Sequence, residues 1–354
     1  MRVMCGRGAI ARLPEVLAGY GAERVLVVAS RRRFRAARFP PGVDVELFDG
    51  FSPNPVLADV VRACAVRDER RPDVVVGLGG GSALDVAKCA RLLPADLTAA
   101  RAVLDGGAVE GRARAPLVLV PTTAGSGSEV TRFATLYDRG AKRSFDRARV
   151  RADVAIVDPD LLGSCPPELV GSCAFDALCH AVESLWSRRA TAPSRGFARA
   201  ALRGLVPLLA EGARVPDAAQ RDVLARAALA AGRAIDLTRT TAAHAFAYRL
   251  TSAHGVPHGV ACLLNLSWLL PYNIERAGVP EVVALLGATG RDPLDVVVGA
   301  FGRFGWSHRL RDYGVTRDDL PALVDAGLGV RARADNNPAP LERGEVLEGL
   351  RRVL

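Results

Sequence analysis

Residues 74–88, Val-Val-Val-Gly-Leu-Gly-Gly-Gly-Ser-Ala-Leu-Asp-Val-Ala-Lys, run from an unbroken apolar segment through three consecutive glycines into a helical pattern. A short apolar run bounded by turn residues and followed by a helix belongs to a parallel sheet covered on both faces. Glycines let backbone N–H groups approach an anion, and a helix N-terminus adds a favourable dipole, so Gly79, Gly80, Gly81 and Ser82 suit a pyrophosphate. The run is neither GxGxxG nor a Walker loop, and a plain tight turn accounts for the glycines equally well. A second anion-friendly turn follows at Pro121-Thr-Thr-Ala-Gly-Ser-Gly-Ser-Glu129.

The same alternation organises the first part of the chain. Strands are expected at residues 24–29, 43–48, 73–78, 117–121 and 154–157, with helices at about 10–20, 55–69 and 82–93. After Asp158-Pro159-Asp160 strand patterns nearly vanish. Helices are expected over 166–187, 194–212, 217–235, 241–249, 258–275, 279–286, 293–303, 318–328 and 343–353, the first opening from Ser164-Cys-Pro-Pro-Glu168. The expected architecture is an α/β domain over 1–160 and an all-α domain over 161–354.

Composition narrows the function classes. With 354 residues, 49% apolar and 24% charged, the chain has an ordinary globular make-up. No run of 18 apolar residues occurs and the first ten residues lack a signal peptide's apolar centre, so membrane insertion and export are not expected and the cytoplasm is the default. The net charge of +9 admits a nucleic-acid binder, but the arginines are spread over helical patterns and aromatics make up only 5%. A solvated surface or a pocket for a small anion explains the charge as well. The seven cysteines form no CxxC pair and read as reduced and structural.

The chemistry concentrates in Cys173-Ala-Phe-Asp-Ala-Leu-Cys-His-Ala-Val-Glu183, where Asp176 and His180 stand four residues apart and share a helix face. A carboxylate and an imidazole aimed at one point form half of a divalent-metal site, although an isolated pair of this spacing also suits a merely solvated face. The other half is expected at His244 and His258, since four of only five histidines (180, 244, 254 and 258) fall in these two stretches. His254 has no partner by spacing and reads equally as a core residue.

Taken in order, Pro53-Asn54-Pro55, the Gly-Gly-Gly-Ser-x-x-Asp-x-x-Lys run, Pro-Thr-Thr-Ala-Gly-x-Gly-Ser-Glu, Asp158-Pro159, Asp-x-x-x-His and His-x13-His-Gly resemble the iron-containing (group III) alcohol dehydrogenases. The resemblance covers nearly the whole chain. It implies the dehydroquinate-synthase-like fold, a nicotinamide cofactor and a divalent ion, Fe(II) or Zn(II), on Asp176, His180, His244 and His258. It further implies that Asn54, Gly80, Gly81, Ser82, Thr122, Thr123 and Lys142 line the cofactor, and Gly79, Asp85 and Ser126 of the same motifs are expected there too. Many members carry another histidine where this chain has Tyr248, so Tyr248 or a water takes the place of that group in proton transfer.

Within the family, Thr131-Arg-Phe-Ala-Thr-Leu-Tyr137 and Lys142-Arg-Ser-Phe145 resemble the phosphonoacetaldehyde reductases of phosphonate biosynthesis. The expected reaction is metal-polarised hydride transfer to a small anionic aldehyde, with a general short-chain aliphatic alcohol dehydrogenase as the alternative. Arg132, Arg249 and Arg333 are the candidate cations for the anion. Ser30 stands where the family often has a ribose-binding acid, and Arg31, Arg32 and Arg33 follow, so NADPH is expected over NADH. No nucleic-acid or membrane partner is expected, and a homo-oligomer is left open.

Overall fold

The computed structural model describes residues 1–109 and 115–354. Its strands are β1 (Arg2–Cys5), β2 (Arg24–Ala29), β3 (Asp44–Phe48), β4 (Val74–Gly79), β5 (Leu117–Pro121), β6 (Phe133–Asp138), β7 (Ala141–Asp146) and β8 (Val154–Val157). Interleaved with them are α1 (Leu13–Gly19), α2 (Arg31–Ala36), α3 (Leu57–Arg70), α4 (Gly81–Ala90) and α5 (Leu97–Leu104). Helices alone follow: α6 (Pro167–Trp186), α7 (Ala192–Glu211), α8 (Ala218–Thr238), α9 (Ala242–His254), α10 (His258–Ala277), α11 (Pro280–Leu286), α12 (Pro293–Arg303), α13 (Leu320–Gly329), α14 (Arg331–Ala334) and α15 (Arg343–Arg352).

The chain divides into two compact units, Met1–Thr123 with Ser128–Leu162, and Ala124–Gly127 with Gly163–Leu354. The first holds a parallel sheet in the order β1-β8-β5-β4-β2-β3. Its inner strands β2, β4, β5 and β8 are apolar on both faces because both are covered. Val74, Val76 and Leu78 pack with Leu13, Val16 and Leu17 of α1, while Val75 packs with Leu84 and Ala87 of α4 and Val60 of α3. Gly77 lets α4 lie close, since a Cβ there would come 2.7 Å from Leu119 Cδ2 and 2.9 Å from Ala87 Cβ.

Strand order reverses at β2, with β3 on one side and β4 on the other. Ligands of such sheets bind outside the carboxyl ends at that point. There Ala29 pairs with Leu78, so Ser30 and Gly79 leave the sheet side by side, and Pro121 pairs with Gly79, which brings Thr122 alongside.

Five features depart from the sequence expectation: β1, α2, α5, α14 and the antiparallel β6–β7 hairpin. The stretch expected as one helix from about 10 to 20 is a 3-10 turn over Ala9–Arg12 followed by α1. The helix expected to open from Ser164 begins at Pro167, because Ser164 ends a 3-10 turn.

In the second unit α6 is buried on nearly every side from Val170 to Trp186 and packs against α7, α8 and α10. A helix apolar all round belongs at a core's centre. Any polar side chain it carries must therefore be satisfied internally.

Candidate metal centre

Asp176 and His180 lie one turn apart on the α6 face that meets α9 and α10. His244 in the first turn of α9 and His258 at the first residue of α10 complete the group. The three imidazole Nε2 atoms lie 3.2 Å (His244), 3.6 Å (His180) and 3.9 Å (His258) from Asp176 Oδ1. Ligands of a tetrahedral ion with bonds of about 2.0–2.2 Å stand about 3.4 Å from one another. Asp176, His180 and His244 are almost fully buried, whereas the His258 side chain is 31% exposed, leaving the group open on that side.

Gly259 makes this convergence sterically feasible. A Cβ there would lie 1.8 Å from Ser172 O and 3.0 Å from Asp176 N, so α10 can begin against the backbone of α6 only with glycine after His258. Glu183, seven residues after Asp176, extends the site inward. Its fully buried carboxylate accepts hydrogen bonds from Thr241 N (2.9 Å) and Thr241 Oγ1 (2.8 Å), and His244 Nδ1–H donates to the other oxygen. Trp186 Nε1 holds Thr241 Oγ1 in turn at 2.9 Å. A carboxylate can only accept, so His244 carries a proton on Nδ1, and Nε2 is the nitrogen that faces Asp176.

The electrostatics favour positive charge at this point. Burial opposes ionisation of Asp176, but the surrounding His180, His244 and His258 outweigh it and hold the carboxyl well below its usual range. Burial also disfavours an imidazolium at His244, yet Glu183 and Asp176 push it up to about 8. His180 goes the other way, to about 4, because burial dominates there. A buried donor set of one carboxylate and three imidazoles that stabilises a cation fits a divalent ion.

Around the group, the Tyr248 ring is near-parallel to His258 with centroids 6.2 Å apart, and the Arg333 guanidinium lies 5.2 Å from the Tyr248 centroid. Arg333 Nε donates to Thr240 Oγ1 at 3.0 Å. Arg249, one residue past Tyr248, is exposed and acts on Asp319. Arg132 belongs to the first unit, where it pairs with Asp146 at 3.3 Å and lies over Phe133. His254 ends α9, half-exposed and outside the group. Cys262, read from sequence as structural, stands one turn after His258 with its Sγ 3.8 Å from His258 Nε2.

In the first unit Gly80 caps α4, and Asn54 N donates to Ser82 Oγ at 3.2 Å. Thr122 N donates to Gly79 O at 2.8 Å, and a Cβ on Gly80 would meet Thr123 at 3.4 Å. Asp85 is turned inward, accepting from Ser128 Oγ (2.6 Å) and Thr135 N (2.9 Å), and burial raises its pKa despite Lys88 nearby. Lys142 lies on β7 and acts on Asp85. Ser30 caps α2, and Arg31 pairs with Asp49 at 2.5 Å. Ser126 sits in the segment that packs with the second unit, where a Cβ on Gly125 would lie 2.8 Å from Cys173 Cα.

Sequence reasoning passed over Glu183, Cys262 and Gly259. Glu183 and Cys262 carried a usable signal, since Glu183 sits three residues from His180 and Cys262 four from His258, each on the same helix face as a candidate ligand.

The family model for iron-containing alcohol dehydrogenase matches residues 1–159, and the C-terminal model of the same family matches 172–354. A phosphonoacetaldehyde reductase of Streptomyces viridochromogenes is 40% identical over 234 residues, covering 62% of this chain and 58% of that protein. Long-chain-alcohol dehydrogenase 1 of Geobacillus thermodenitrificans is 32% identical over 371 residues, 96% of this chain and 92% of that protein. Among solved structures, sulfoacetaldehyde reductase from Bifidobacterium kashiwanohense in complex with NAD+ superposes with a TM-score of 0.89 at 26% identity, covering 100% of this chain and 96% of that one. With both halves matched and the whole length aligned, the chain belongs to the iron-containing alcohol dehydrogenase family.

Proposed function

We propose that this protein is a divalent-metal, NADPH-linked reductase of a small anionic aldehyde, converting phosphonoacetaldehyde to 2-hydroxyethylphosphonate. The observation that carries the choice of substrate is Arg333, a half-buried guanidinium 5.2 Å from the Tyr248 ring that itself stacks beside His258. A forked cation fixed within one aromatic ring of the ligand group suits a phosphonate, which needs charge-assisted hydrogen bonds when it leaves water. Two of the similar proteins, named for phosphonoacetaldehyde and sulfoacetaldehyde, act on two-carbon aldehydes with an anionic group.

When bound, the ion supplies Lewis acidity toward the carbonyl and the nicotinamide supplies the hydride. Asp176, His180, His244 and His258 hold the ion, and Glu183 fixes the His244 tautomer. Tyr248, beside His258, is placed to deliver the proton that the alcohol product needs, directly or through water. In the first unit Gly79, Gly80, Gly81 and Ser82 receive the pyrophosphate, with Asn54, Thr122, Thr123 and Lys142 beside it. Ser30 puts no carboxylate beside the adenosine ribose, and Arg32 follows it, which favours a 2′-phosphate. The acid at that strand end, Asp49, is engaged by Arg31.

The full-length match to a long-chain alcohol dehydrogenase favours a second reading, a general aliphatic alcohol dehydrogenase. Steady-state reduction of phosphonoacetaldehyde and propanal, with each cofactor, separates the two. On the proposed reading kcat/KM is higher for phosphonoacetaldehyde and for NADPH. Arg333→Ala then raises KM for phosphonoacetaldehyde roughly tenfold or more and leaves propanal little changed, since loss of a hydrogen bond to a charged group costs about 1.5–3 kcal/mol. Equal effects on both aldehydes, or faster turnover of propanal by the unaltered enzyme, overturn it in favour of the general dehydrogenase.

A further inference from the structure

We propose that Cys262 is a ligand of the bound divalent ion, which makes this a sulfur-containing centre and selects for a thiophilic metal. The proposal rests on the metal-site reading above and goes beyond its donor set of one carboxylate and three imidazoles. Asp176, His244, His258 and Cys262 each present one donor atom, and the four atoms lie within 4.8 Å of one another. Sγ is 3.8 Å from His258 Nε2. Around a tetrahedral ion with a metal–nitrogen bond of about 2.0 Å and a metal–sulfur bond of about 2.3 Å, nitrogen and sulfur stand about 3.6 Å apart. Cys262 Sγ therefore stands near ligand spacing from His258 and within 4.8 Å of the Asp176 and His244 donor atoms, on a helix one turn beyond His258 and buried.

The four histidine and carboxylate donors are not equally secured. His244 is locked by Glu183, whereas His180 Nδ1 is buried without a hydrogen bond of ordinary geometry, although the Gly125 backbone faces it. A metal-bound imidazole usually has its second nitrogen anchored, and an unanchored one is the weaker ligand. On binding, the thiol S–H bond breaks, its proton leaves to solvent and a metal–sulfur bond forms with no change of oxidation state. The bound centre then carries two anionic ligands, Asp176 and Cys262, in place of one. Thiolate favours Zn(II) over Fe(II), so the preference for zinc should exceed that of an all nitrogen and oxygen site.

Loading the metal-free full chain with Co(II) tests this without reference to turnover. The expected spectrum has an intense thiolate-to-cobalt charge-transfer band in the near ultraviolet, lost in Cys262→Ala and kept in Cys179→Ala, whose thiol neighbours His180. Chelator competition should show Zn(II) affinity falling about tenfold or more in Cys262→Ala, with a smaller change for Fe(II). X-ray absorption at the zinc edge of the unaltered protein should contain a sulfur scatterer, which decides the matter even if Cys262→Ala does not fold. Stoichiometric zinc with nitrogen and oxygen neighbours alone, or a cobalt band that survives Cys262→Ala, overturns this proposal and leaves the metal site standing. Failure to take up any divalent ion overturns both.

Discussion

The two units present their functional groups by opposite means. In the first unit the groups proposed to receive the cofactor are main-chain N–H and small side chains at strand ends, Gly79 to Ser82 and Thr122 to Thr123, held by a parallel sheet. In the second they are side chains converging from buried helices, with His244 held in turn by Glu183. A backbone cradle depends on shape, so changes there act through steric fit and act gradually. A cluster of converging donors depends on particular atoms, and losing one removes the function outright.

The sharpest break should come at His258. Its side chain is partly exposed, and Asp176 keeps His180 and His244 beside it, so the His258→Ala variant should remain folded. Turnover should fall by on the order of 10²–10³ with loss of bound metal, because electrostatic stabilisation of the reacting oxygen contributes more than any other single effect to such chemistry. Full metal content together with full activity would remove His258 from the site.

Paired glycine substitutions probe the contrast more finely. The Cβ of Gly259→Ala would meet main-chain atoms of α6, which cannot yield, at 1.8 Å from Ser172 O. The Cβ of Gly77→Ala would meet side-chain atoms of Leu119 and Ala87 at 2.7 and 2.9 Å. Gly259→Ala should cost about 3 kcal/mol or more and abolish tight metal binding, whereas Gly77→Ala should cost about 1–3 kcal/mol and leave metal affinity alone. Urea unfolding and metal titration of both variants check this. Equal metal loss in the two would mean that the first unit's packing also sets the cluster.

Glu183→Gln should act on the cluster without emptying it. The amide cannot support His244 as a carboxylate does, and metal affinity should fall about 10–100-fold. An unchanged dissociation constant by chelator competition would show that His244 needs no anionic support.

How much was readable without coordinates follows the same division. Strands β2, β4, β5 and β8 are apolar, flanked by turns and plain in the sequence, whereas the Phe133–Asp146 hairpin buries only one face and dilutes its alternation with Lys142, Arg143 and Arg139. Helix α2, Arg-Arg-Arg-Phe-Arg-Ala, has no apolar periodicity to reveal it. In the site, Asp176 and His180 were legible because their spacing is local to one helix. Glu183 and Cys262 share those faces but resemble ordinary residues of a buried helix. Gly259 was illegible for a different reason, since its role depends on which backbone α10 meets. No helix among the described residues is long and apolar enough to cross a membrane, in line with the composition.

The smallest expected effect concerns a carboxylate that the first unit uses to shape backbone. Asp59 Oδ2 accepts from Ser52 N (3.2 Å), Ser52 Oγ (3.0 Å) and Val56 N (3.3 Å), and Oδ1 accepts from Arg62 at 2.8 Å, which folds the loop carrying Asn54. Burial alone would raise its pKa, but the hydrogen bonds from Ser52 and Val56 and the Arg62 guanidinium outweigh it and bring it below the ordinary 3.8. A group whose pKa is lower in the folded than in the unfolded state stabilises fully above its unfolded value, and that contribution is lost as pH falls through the folded value. Asp59→Asn should therefore cost about 1–2 kcal/mol at neutral pH and raise KM for the dinucleotide, leaving metal affinity unchanged. The stability gap between the two proteins should hold down to about pH 5 and close progressively below the ordinary carboxylate pKa. Urea unfolding across that range measures it. A gap that stays constant with pH would assign the cost to lost shape rather than lost charge, and a gap that widens on acidification would mean that folding raises the Asp59 pKa instead of lowering it.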